Sequence, residues 1–422
     1  MKTLVLFLLA AAASARPIAF TNARLYTISR GIIAHGAMVV DNNKILEVDE
    51  AGRVRIPPGA EVRDLGGKVL FPGIVDTHSH IGLAQVGNQD VNESSGPSQP
   101  ILRALDAILM TDATVRAAVA GGVTTANIMP GSGNVMGGQT AYVKLRGRTI
   151  EDGLIFKTGL QGGMKMANGE NPKGYASRDQ APKTRMAVAA LQRRLFVRAL
   201  EYKRKLASPQ PPDRDLELEP IVEILDGQRT VHFHTHRADD IMTVLRLADE
   251  FHFKVVLQHV TEGYKVADEI ARRRVPVSFI VIDSPGGKLE AADYSPANGA
   301  IMEKAGIKLA IHSDDWIVSS RFLFREAGLA VRDGMSEEGA LRALTLNPAE
   351  MLGLGDRIGS LEPGKDADFL VLSGDPLSVY THVLETWIDG ERVFDRSRLP
   401  DRLYQTGGAG VAGRYPVEVV KQ

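Results

Sequence analysis

Between residues 68 and 355 the chain alternates short apolar runs with longer patterns of helical period. The strand-like runs include KVLFPGIVDTHSH, GVTTANIM, TVHFHTH, KVVLQHV, VPVSFIVI and IKLAIHSDD, and the helix-like runs include DDIMTVLRLADEF, YKVADEIARRR and EEGALRALTLNPAEMLGL. This alternation is typical of parallel strands covered by helices, and its length fits a closed (β/α)8 TIM-like barrel of the α/β class. An open doubly wound sheet is the alternative, but PGSGNVMGG at 130–138 lacks the G-x-G-x-x-G spacing of its nucleotide-binding turn.

The two ends of the chain differ from this central region, because both consist of short strand-like runs broken by turns. At the amino end these runs are IAFTNARLYTI, GAMVVDNNKILEVDE and VRIPPGAEVRDLGG, and at the carboxyl end they are GSLEPGKDADFLVLSGDP and VLETWIDGERVFD. Such runs between turn signals are typical of strands. We therefore predict that residues 16–67 and 356–422 form one small β-sandwich and that residues 68–355 form the barrel.

The first residues, MKTLVLFLLAAAASA, carry one lysine, then an apolar run, then small residues. This order is typical of a secretory signal peptide, with Ala13-Ser14-Ala15 as the cleavage site. The apolar run is shorter than the roughly 20 residues that span a bilayer, which disfavours a membrane anchor. We expect residues 1–15 to be removed and the mature protein to be exported, to the periplasm or outside the cell.

Composition narrows the chemistry open to this chain. The 50 basic and 51 acidic residues give a formal net charge of −1, which does not indicate a nucleic-acid-binding surface. The chain has no cysteine, and this excludes disulfides, thiolate nucleophiles and cysteine-held metals. A metal would therefore be held by His, Asp, Glu or a modified Lys. The expected partner is a small-molecule substrate, and homo-oligomer formation is left open.

Seven of the 10 histidines fall in four strand-like segments, near the carboxyl end of each. His78 and His80 share a strand face, because successive strand side chains point to opposite faces. The other members are His232, His234, His236, His259 and His312, the last followed by Asp314 and Asp315. The carboxyl ends of barrel strands meet at one rim, where catalytic residues lie. Imidazole and carboxylate ligands without thiolates suit a hydrolytic site holding zinc, or manganese, iron or nickel.

Six stretches of the chain resemble the amidohydrolase superfamily, in particular its imidazolonepropionase-like and prolidase-like metal-dependent hydrolases. They are, in order, PGIVDTHSH, HTHRADDI, LQHVTEG, IHSDD, LTLNPAEMLGL and IGSLEPGKDADFLVL. The resemblance implies a metallohydrolase barrel beside a small sandwich. It also implies one or two divalent metal ions, zinc foremost, surrounded by a His-x-His pair on strand one, a histidine on each of strands five and six, and an aspartate on strand eight.

Position by position, the resemblance assigns the strand-one and strand-six ligands directly: His78, His80 and His259. On strand five three histidines compete. The family places its ligand close to the start of the following helix, which favours His234 over His236. His232 lies deeper in the strand, and we interpret it as a packed barrel residue.

On strand eight the family aspartate follows a Ser or Thr, so the resemblance favours Asp314 over Asp315. The alternation of strand side chains agrees, because it places Asp314 on the face of His312. Two-metal members also use a bridging glutamate or a carboxylated lysine on a middle strand, and GGMKMANGENPK offers Glu170 and Lys165. We favour Glu170 as a metal ligand because it needs no modification and lies in a Gly/Asn/Pro-rich loop; Lys165 is the alternative.

The implied reaction is hydrolysis of an amide, peptide or cyclic amide carbon–nitrogen bond by water activated at the metal. Asp314 would be the catalytic proton shuttle to the leaving nitrogen. Arg237 and His236 are candidates for substrate contact, although Arg237 could instead pair with Asp239 or Asp240. Two alternatives stay open, namely deamination of a heterocycle on the same barrel and a non-catalytic scaffold. The scaffold is disfavoured because scaffold relatives lack the metal ligands that this chain keeps.

Overall fold

The computed structural model describes residues 16–83, 90–156, 158–174, 180–281, 288–315 and 317–407. The predicted signal peptide (1–15) and the last part of the predicted sandwich (408–422) lie outside the described residues. Within those ranges no helix combines the length and the apolar character needed to cross a membrane.

Strands and helices follow one another along the described chain. The strands are β1 (Ile18–Tyr26), β2 (Ile32–Asp41), β3 (Lys44–Glu50), β4 (Glu61–Asp64), β5 (Val69–Pro72), β6 (Ile74–Ser79), β7 (Val123–Ile128), β8 (Met136–Gln139), β9 (Ala141–Lys144), β10 (Met164–Ala167), β11 (Val231–Thr235), β12 (Val255–His259), β13 (Val277–Phe279), β14 (Leu309–Ile311), β15 (Phe369–Leu372), β16 (Val383–Ile388) and β17 (Glu391–Asp395). The α-helices are α1 (Ala113–Ala120), α2 (Ile150–Gly153), α3 (Glu170–Lys173), α4 (Arg185–Leu206), α5 (Glu219–Leu225), α6 (Ala238–Phe251), α7 (Ala267–Arg272), α8 (Asn298–Lys304), α9 (Leu323–Arg332), α10 (Glu337–Leu344), α11 (Leu346–Met351) and α12 (Leu399–Thr406). Short 3-10 helices lie at Ala104–Asp106, Gly263–Lys265, Leu289–Ala291 and Ser320–Phe322.

Strands from both ends of the chain pair in one eight-stranded sheet, which we call the terminal sheet. Its order is β17-β16-β15-β5-β1-β2-β3, with β4 beside β1. Phe20 lies edge-on to Phe369 and Trp387, with ring centroids 5.0 and 5.3 Å apart, in a core separate from that of the barrel. The terminal sheet therefore joins the two ends of the chain, and its division into the two layers of a sandwich stays a prediction.

The first apolar run of the predicted barrel divides at Gly73. β5 pairs with β1 and β15 in the terminal sheet, whereas β6 pairs with β7. The backbone of Gly73 lies so close to Thr124 that a Cβ atom there would be 2.1 Å from the threonine hydroxyl oxygen. A larger residue would not allow this approach. The division leaves β6, which carries the His-x-His pair at its end, to begin the barrel.

The remaining strands follow one another in a ring. One sheet has the order β6-β7-β9 and the other the order β14-β13-β12-β11-β10-β8. Only Thr140 separates β8 from β9, so these two strands link the sheets. At the other end, a parallel bridge between Ser79 and Asp315 brings the segment after β14 beside β6. This order is that of a TIM-like barrel with mixed α/β content.

One position of the ring departs from the expected parallel arrangement. β8 runs antiparallel to β10, and β9 runs antiparallel to β7, whereas the other neighbours in the ring pair in parallel. The connection from β7 to β8 consists of residues 129–135. A parallel crossover needs about a dozen residues or more, so this short connection makes the chain reverse direction.

The helices cover the barrel through apolar stripes of helical period. In α4 the buried residues include Val188, Leu195 and Phe196, and the basic residues lie on the other face. Phe196 stacks on Phe251 at the end of α6 and on Phe253, with centroids 4.9 and 5.0 Å apart. The basic character of α4 is thus that of an outer helix packed on a second helix.

Candidate metal centre

Seven side chains from four strand ends converge at one place, and we call them the histidine cluster. They are His78, His80, His234, His236, His259, His312 and Asp314. They form three overlapping groups, each with one ligand atom per residue within 4.8 Å of the others: His78-His80-Asp314, His234-His236-His259 and His78-His259-His312. The histidines are buried. The carboxyl ends of β6, β11, β12 and β14 therefore meet at a set of donors able to hold a metal.

The first group is built around the carboxylate of Asp314. Its Oδ1 atom lies 3.1 Å from His80 Nε2 and 3.3 Å from His78 Nε2. The other nitrogen of His80, Nδ1, donates to the carbonyl of Met129 at 2.7 Å, which fixes the ring with Nε2 facing Asp314. Burial raises the pKa of Asp314, but the hydrogen bond and charge of His80 and the charge of Lys165 outweigh it and lower this pKa. Asp314 is therefore an anionic donor at neutral pH.

The second group is oriented by hydroxyl groups behind the rings. His234 Nδ1 lies 2.9 Å from Ser132 Oγ, and His236 Nδ1 lies 2.7 Å from Thr261 Oγ1. Hydrogen bonds of this kind fix which nitrogen of a histidine is free to bind a metal. In both residues the remaining nitrogen is Nε2: that of His236 has no hydrogen-bond partner among the described residues, and that of His234 lies 3.4 Å from the Asn171 side-chain amide. Both His234 and His236 are thus positioned to bind a metal, although the sequence analysis favoured His234 over His236.

Three nitrogens of the cluster have no hydrogen-bond partner among the described residues, although they are buried. They are His78 Nδ1, His236 Nε2 and His259 Nε2. Buried polar atoms are nearly always bonded in folded proteins, and an unpaired one indicates an ion, a water or a functional role. The donor set therefore fits a divalent metal, which would take up these lone pairs.

Five of the histidine rings in the cluster are held neutral. Burial lowers the pKa of His236 and of His312 to about 3. Burial likewise lowers the pKa of His78, His234 and His259 well below the ordinary value. The neutral imidazole is the form that binds a metal, so the folded chain presents these side chains ready to coordinate.

Backbone strain accompanies the site. His259, Val260 and Asp314 have φ angles of +73°, +51° and +47°, in the left-handed region that side-chain-bearing residues rarely adopt. Such strain concentrates where a fold must aim functional groups. It also changes the reason why Asp314 faces the cluster: β14 ends at Ile311, so a left-handed turn, and not the alternation of a strand, directs this carboxylate.

Asp315 has a different environment from its neighbour. It is buried, and its Oδ2 atom accepts hydrogen bonds from the Ser320 amide at 2.7 Å and the Ser320 hydroxyl at 2.9 Å. Burial raises its pKa. Asp315 therefore holds the loop that follows β14, and the three ligand groups contain Asp314 instead.

Lys165 and Glu170 have clearly different positions. Lys165, on β10, is fully buried, with its Nζ atom 2.8 Å from His78 Nε2. Burial lowers its pKa to about 7, against the opposing effect of Asp314. Glu170 begins α3, is only half-buried, and belongs to none of the ligand groups. The geometry thus brings the alternative bridge, Lys165, into the cluster and does not bring in the favoured one.

Two other histidine assignments can be compared with the geometry. His232 bonds to the Tyr142 hydroxyl at 3.1 Å and to Gln258 Nε2 at 3.2 Å, as a packed barrel residue does. His312, which the sequence analysis did not select as a ligand, places Nε2 3.3 Å from His259 Nδ1 and joins one of the three groups. Its signal in the sequence was its place in the same strand-end segment as Asp314.

Arg237 was a candidate for substrate contact, whereas Glu290 was not expected near the site. The Arg237 guanidinium is exposed and forms a two-bond pair with the Asp239 carboxylate at 3.0 and 2.9 Å, the pairing that was the alternative to substrate contact. Glu290, which no sequence pattern marked, is buried, and its Oε1 atom lies 4.0 Å from His234 Nε2 without a hydrogen bond to any described residue. Its other oxygen accepts the Glu170 amide at 2.6 Å.

Comparison with known proteins adds a family to this geometry. The model of the amidohydrolase family matches residues 69–393. The amidohydrolase tasK of Hapsidospora irregularis is 31% identical over 85% of this chain, and the chain spans 40% of the length of that relative. The imidazolonepropionase of Thermoplasma acidophilum is 27% identical over 80% of this chain and 82% of its own length.

A solved structure supports the fold in the same way. An amidohydrolase from Thermotoga maritima MSB8 superposes with a TM-score of 0.85 at 39% sequence identity, covering 90% of this chain and 100% of that one. A deaminase with a similar barrel, an adenosine deaminase from Xanthomonas campestris with bound zinc, has a TM-score of 0.55 at 19% identity. The second likeness concerns the fold alone.

Proposed function

The chain belongs to the amidohydrolase family, and we propose that it hydrolyses an amide, peptide or cyclic amide carbon–nitrogen bond at a centre of one or two divalent metal ions. Relatives in this family are enzymes that act on carbon–nitrogen bonds. The observation that carries the proposal is the convergence of three overlapping groups of His and Asp donors at strand carboxyl ends. Zinc is the ion that we favour, because nitrogen and carboxylate ligands without sulfur are typical of hydrolytic zinc sites.

Two groups of residues would hold the ions. His78, His80 and Asp314 suit one ion, while His259 with His234 or His236 suits the other. A divalent ion at such a site supplies Lewis acidity and lowers the pKa of water from 15.7 to roughly 7. Two ions in one cluster repel each other unless an anion lies between them, and this requirement gives a bridging residue its importance.

The chain's own residues then supply positioning and proton transfer. Asp314 is anionic, and His78 and His80 hold its Oδ1 atom at the centre of the cluster. We assign it to accept the proton of the attacking water and to deliver that proton to the leaving nitrogen. Asp315 supports this geometry from the adjoining loop, since its bonds to Ser320 fix the backbone next to Asp314.

For the bridge we propose carboxylated Lys165 in place of Glu170. A buried ammonium without a carboxylate partner is costly, and no such partner lies within ion-pair distance of Lys165 in the described parts of the chain. Carboxylation joins the neutral Nζ amine to the carbon of carbon dioxide with loss of one proton; counted from the ammonium, two protons leave, and a buried cation becomes an anion. The position of Lys165 beside His78 supports the bridge.

Elemental analysis of two variants tests the bridge. We expect wild-type protein to hold two ions, Lys165→Ala to lose one of them, and Glu170→Gln to keep both. Loss of an ion only in Glu170→Gln would restore Glu170 as the bridge. A wild type that never exceeds one ion under metal excess would remove the bridge altogether.

The reaction itself is tested by a substrate screen with metal-loaded enzyme. The panel contains dipeptides, N-acyl amino acids, lactams and amino-heterocycles, with primary amine and free ammonia measured separately. We expect release of amine or ring opening that is lost with a chelator and restored by zinc. Ammonia release from amino-heterocycles alone would instead make the chain a deaminase.

A further inference from the structure

A second concave site lies apart from the histidine cluster, and we call it the Arg321 cavity. It has a volume of about 620 Å³ and lies between α9, the end of α1 and the connection from β15 to β16. None of the residues that line it belongs to the three ligand groups of the metal centre. The proposed hydrolysis therefore gives this cavity no role.

The lining of the Arg321 cavity has one sign of charge. Its charged side chains are those of Arg321, Arg325 and Arg332; His382 also lines it, and no aspartate or glutamate does so among the described residues. Concave sites with basic side chains of one sign raise the local concentration of anions. The cavity is thus electrostatically suited to an anionic ligand.

Arg321 is the arginine of this set that has no anionic partner in the described chain. Arg325 pairs with Glu326 at 3.1 Å, and Arg332 pairs with Asp333 at 3.0 Å. For Arg321 the described chain supplies no carboxylate within ion-pair distance. Its Nη1 atom makes one long bond of 3.4 Å to the Tyr404 carbonyl, and its Nε atom is buried with no acceptor among those residues. A guanidinium offers five donors, so most of those of Arg321 have no acceptor within the described parts of the chain.

The guanidinium of Arg321 is held in place. It lies over the Phe322 ring at 4.6 Å from the centroid, and the guanidinium of Arg325 lies at 4.8 Å from the same centroid. The backbone beneath it is also tightly packed, because a Cβ atom on Gly121 would lie 2.2 Å from the Arg321 Cα atom. Preorganised donors lose little entropy when they bind a ligand.

The other walls of the cavity are apolar. Phe324, Leu329, Leu377 and Val383 line it beside the arginines. Guanidinium groups bind carboxylates through two parallel hydrogen bonds, and apolar walls bind hydrocarbon. We propose that the Arg321 cavity is a binding site for a small amphiphilic carboxylate, with the carboxylate on Arg321 and the hydrocarbon against these side chains.

Calorimetry with two probes of similar shape tests this proposal. The probes are 4-phenylbutyrate and the uncharged 4-phenyl-1-butanol, added to the full-length metal-loaded protein. We expect saturable binding of the carboxylate and at least tenfold weaker binding of the alcohol. Arg321→Gln should weaken carboxylate binding by about tenfold or more, because it removes the charged donor group.

Three further variants make the test decisive. Arg325→Gln removes the second guanidinium of the pair over Phe322 and should also weaken binding of the carboxylate. It serves as the test if Arg321→Gln does not fold. Arg204→Gln, at an exposed arginine of α4 that is not among the lining residues, should leave binding unchanged. Binding that persists in Arg321→Gln but disappears in His78→Ala would place the carboxylate at the metal centre and overturn the proposal. Equal affinity for the two probes, or no binding of either, would also overturn it.

Discussion

Two buried clusters of ionisable side chains lie in this fold, and they differ in how their charges are compensated. The first is the histidine cluster. In the second, which we call the Lys144 cluster, the ammonium of Lys144 contacts the carboxylates of Asp366, Asp368 and Asp389, at 2.8 Å for Asp366 and 3.1 Å for Asp368. Lys144 ends β9 of the barrel, whereas the three aspartates flank β15 and β16 of the terminal sheet. The cluster therefore fastens the two sheets to each other.

Further cations complete the Lys144 cluster. Lys44 and Arg357 bind Asp366 at 2.6 and 2.9 Å, and Arg146 binds Asp389 at 2.7 Å. In the histidine cluster, by contrast, three buried nitrogens have no partner in the described chain and two of its residues have left-handed backbones. Compensated charges stabilise a fold, whereas uncompensated donors in a strained backbone are what a metal or substrate requires. The comparison predicts that mutations in the histidine cluster lower catalytic activity, whereas mutations in the Lys144 cluster lower the stability of the fold.

The largest effect is expected for Asp314→Asn. The amide cannot take up the proton of the attacking water, so we expect kcat to fall by about 10³-fold while His78 and His80 retain their metal. Turnover and metal content are measured on the same preparation. Asp315→Asn is the matched control, and it should affect stability more than kcat because Asp315 bonds to Ser320. Near-normal turnover of Asp314→Asn at full metal content would remove the assigned role.

Lys144→Met should have the opposite effect: it should lower the stability of the fold and leave kcat unchanged. It leaves the buried carboxylate of Asp368 without a cation in the described chain and removes one cation from those of Asp366 and Asp389, and breaking a buried ion pair in this way destabilises a protein by about 3–5 kcal/mol. Urea unfolding measures the loss, and kcat per folded molecule should not change. Lys308→Met, which removes an exposed lysine paired with Glu350 at the surface, should change the unfolding free energy by less than about 1 kcal/mol. A loss of kcat in folded Lys144→Met would contradict the separation of the two clusters.

The contrast also explains which features the sequence could reveal. Six of the seven histidines that the sequence analysis placed in strand-end segments come together with Asp314, because the carboxyl ends of neighbouring strands meet in any such barrel. The Lys144 cluster left no pattern, since its partners lie 222 to 245 residues apart in the chain. Local patterns carry information about strand faces, and they carry none about which distant charges will meet.

Lys165 and Glu170 illustrate the same limit within one short stretch. The loop composition around Glu170 favoured it as a ligand, and Lys165 had only its place in an apolar run. What distinguishes them is register: Lys165 on β10 pairs with His232 on β11, next to the strand ends that form the cluster. The antiparallel direction of β8 and β9 was not predicted for a related reason. It follows from the short connection between β7 and β8, and the strand patterns alone do not give the direction of a strand.

A pH titration of stability sharpens the comparison further. Burial raises the pKa of Asp366, but the charge of Lys144 and the hydrogen bonds from Lys144 and Lys44 outweigh it and lower this pKa to about 2, from 3.8. A lowered carboxylate pKa stabilises the fold above pH 3.8, and this contribution disappears as the pH falls through 2. The stability difference between wild type and Asp366→Asn should therefore be about 2 kcal/mol larger at pH 7 than at pH 2. A difference independent of pH would show that the pKa of Asp366 is the same in the folded and the unfolded protein, and a difference that shrinks as the pH rises would show that this carboxyl is not ionised in the folded protein.

The smallest effect is expected for the hydroxyl groups that bond to His234 and His236. The same experiment decides which of these two histidines is the metal ligand. Ser132→Ala removes the hydroxyl that orients His234, and Thr261→Val removes the hydroxyl that orients His236. Loss of such a supporting hydrogen bond weakens metal affinity by about tenfold, whereas kcat at saturating metal should change little because Asp314 is untouched. Zinc titration of the two variants against a competing chelator measures the effect. If His234 is the ligand, Ser132→Ala weakens binding of one ion and Thr261→Val does not; the reverse result would make His236 the ligand and the choice of His234 wrong.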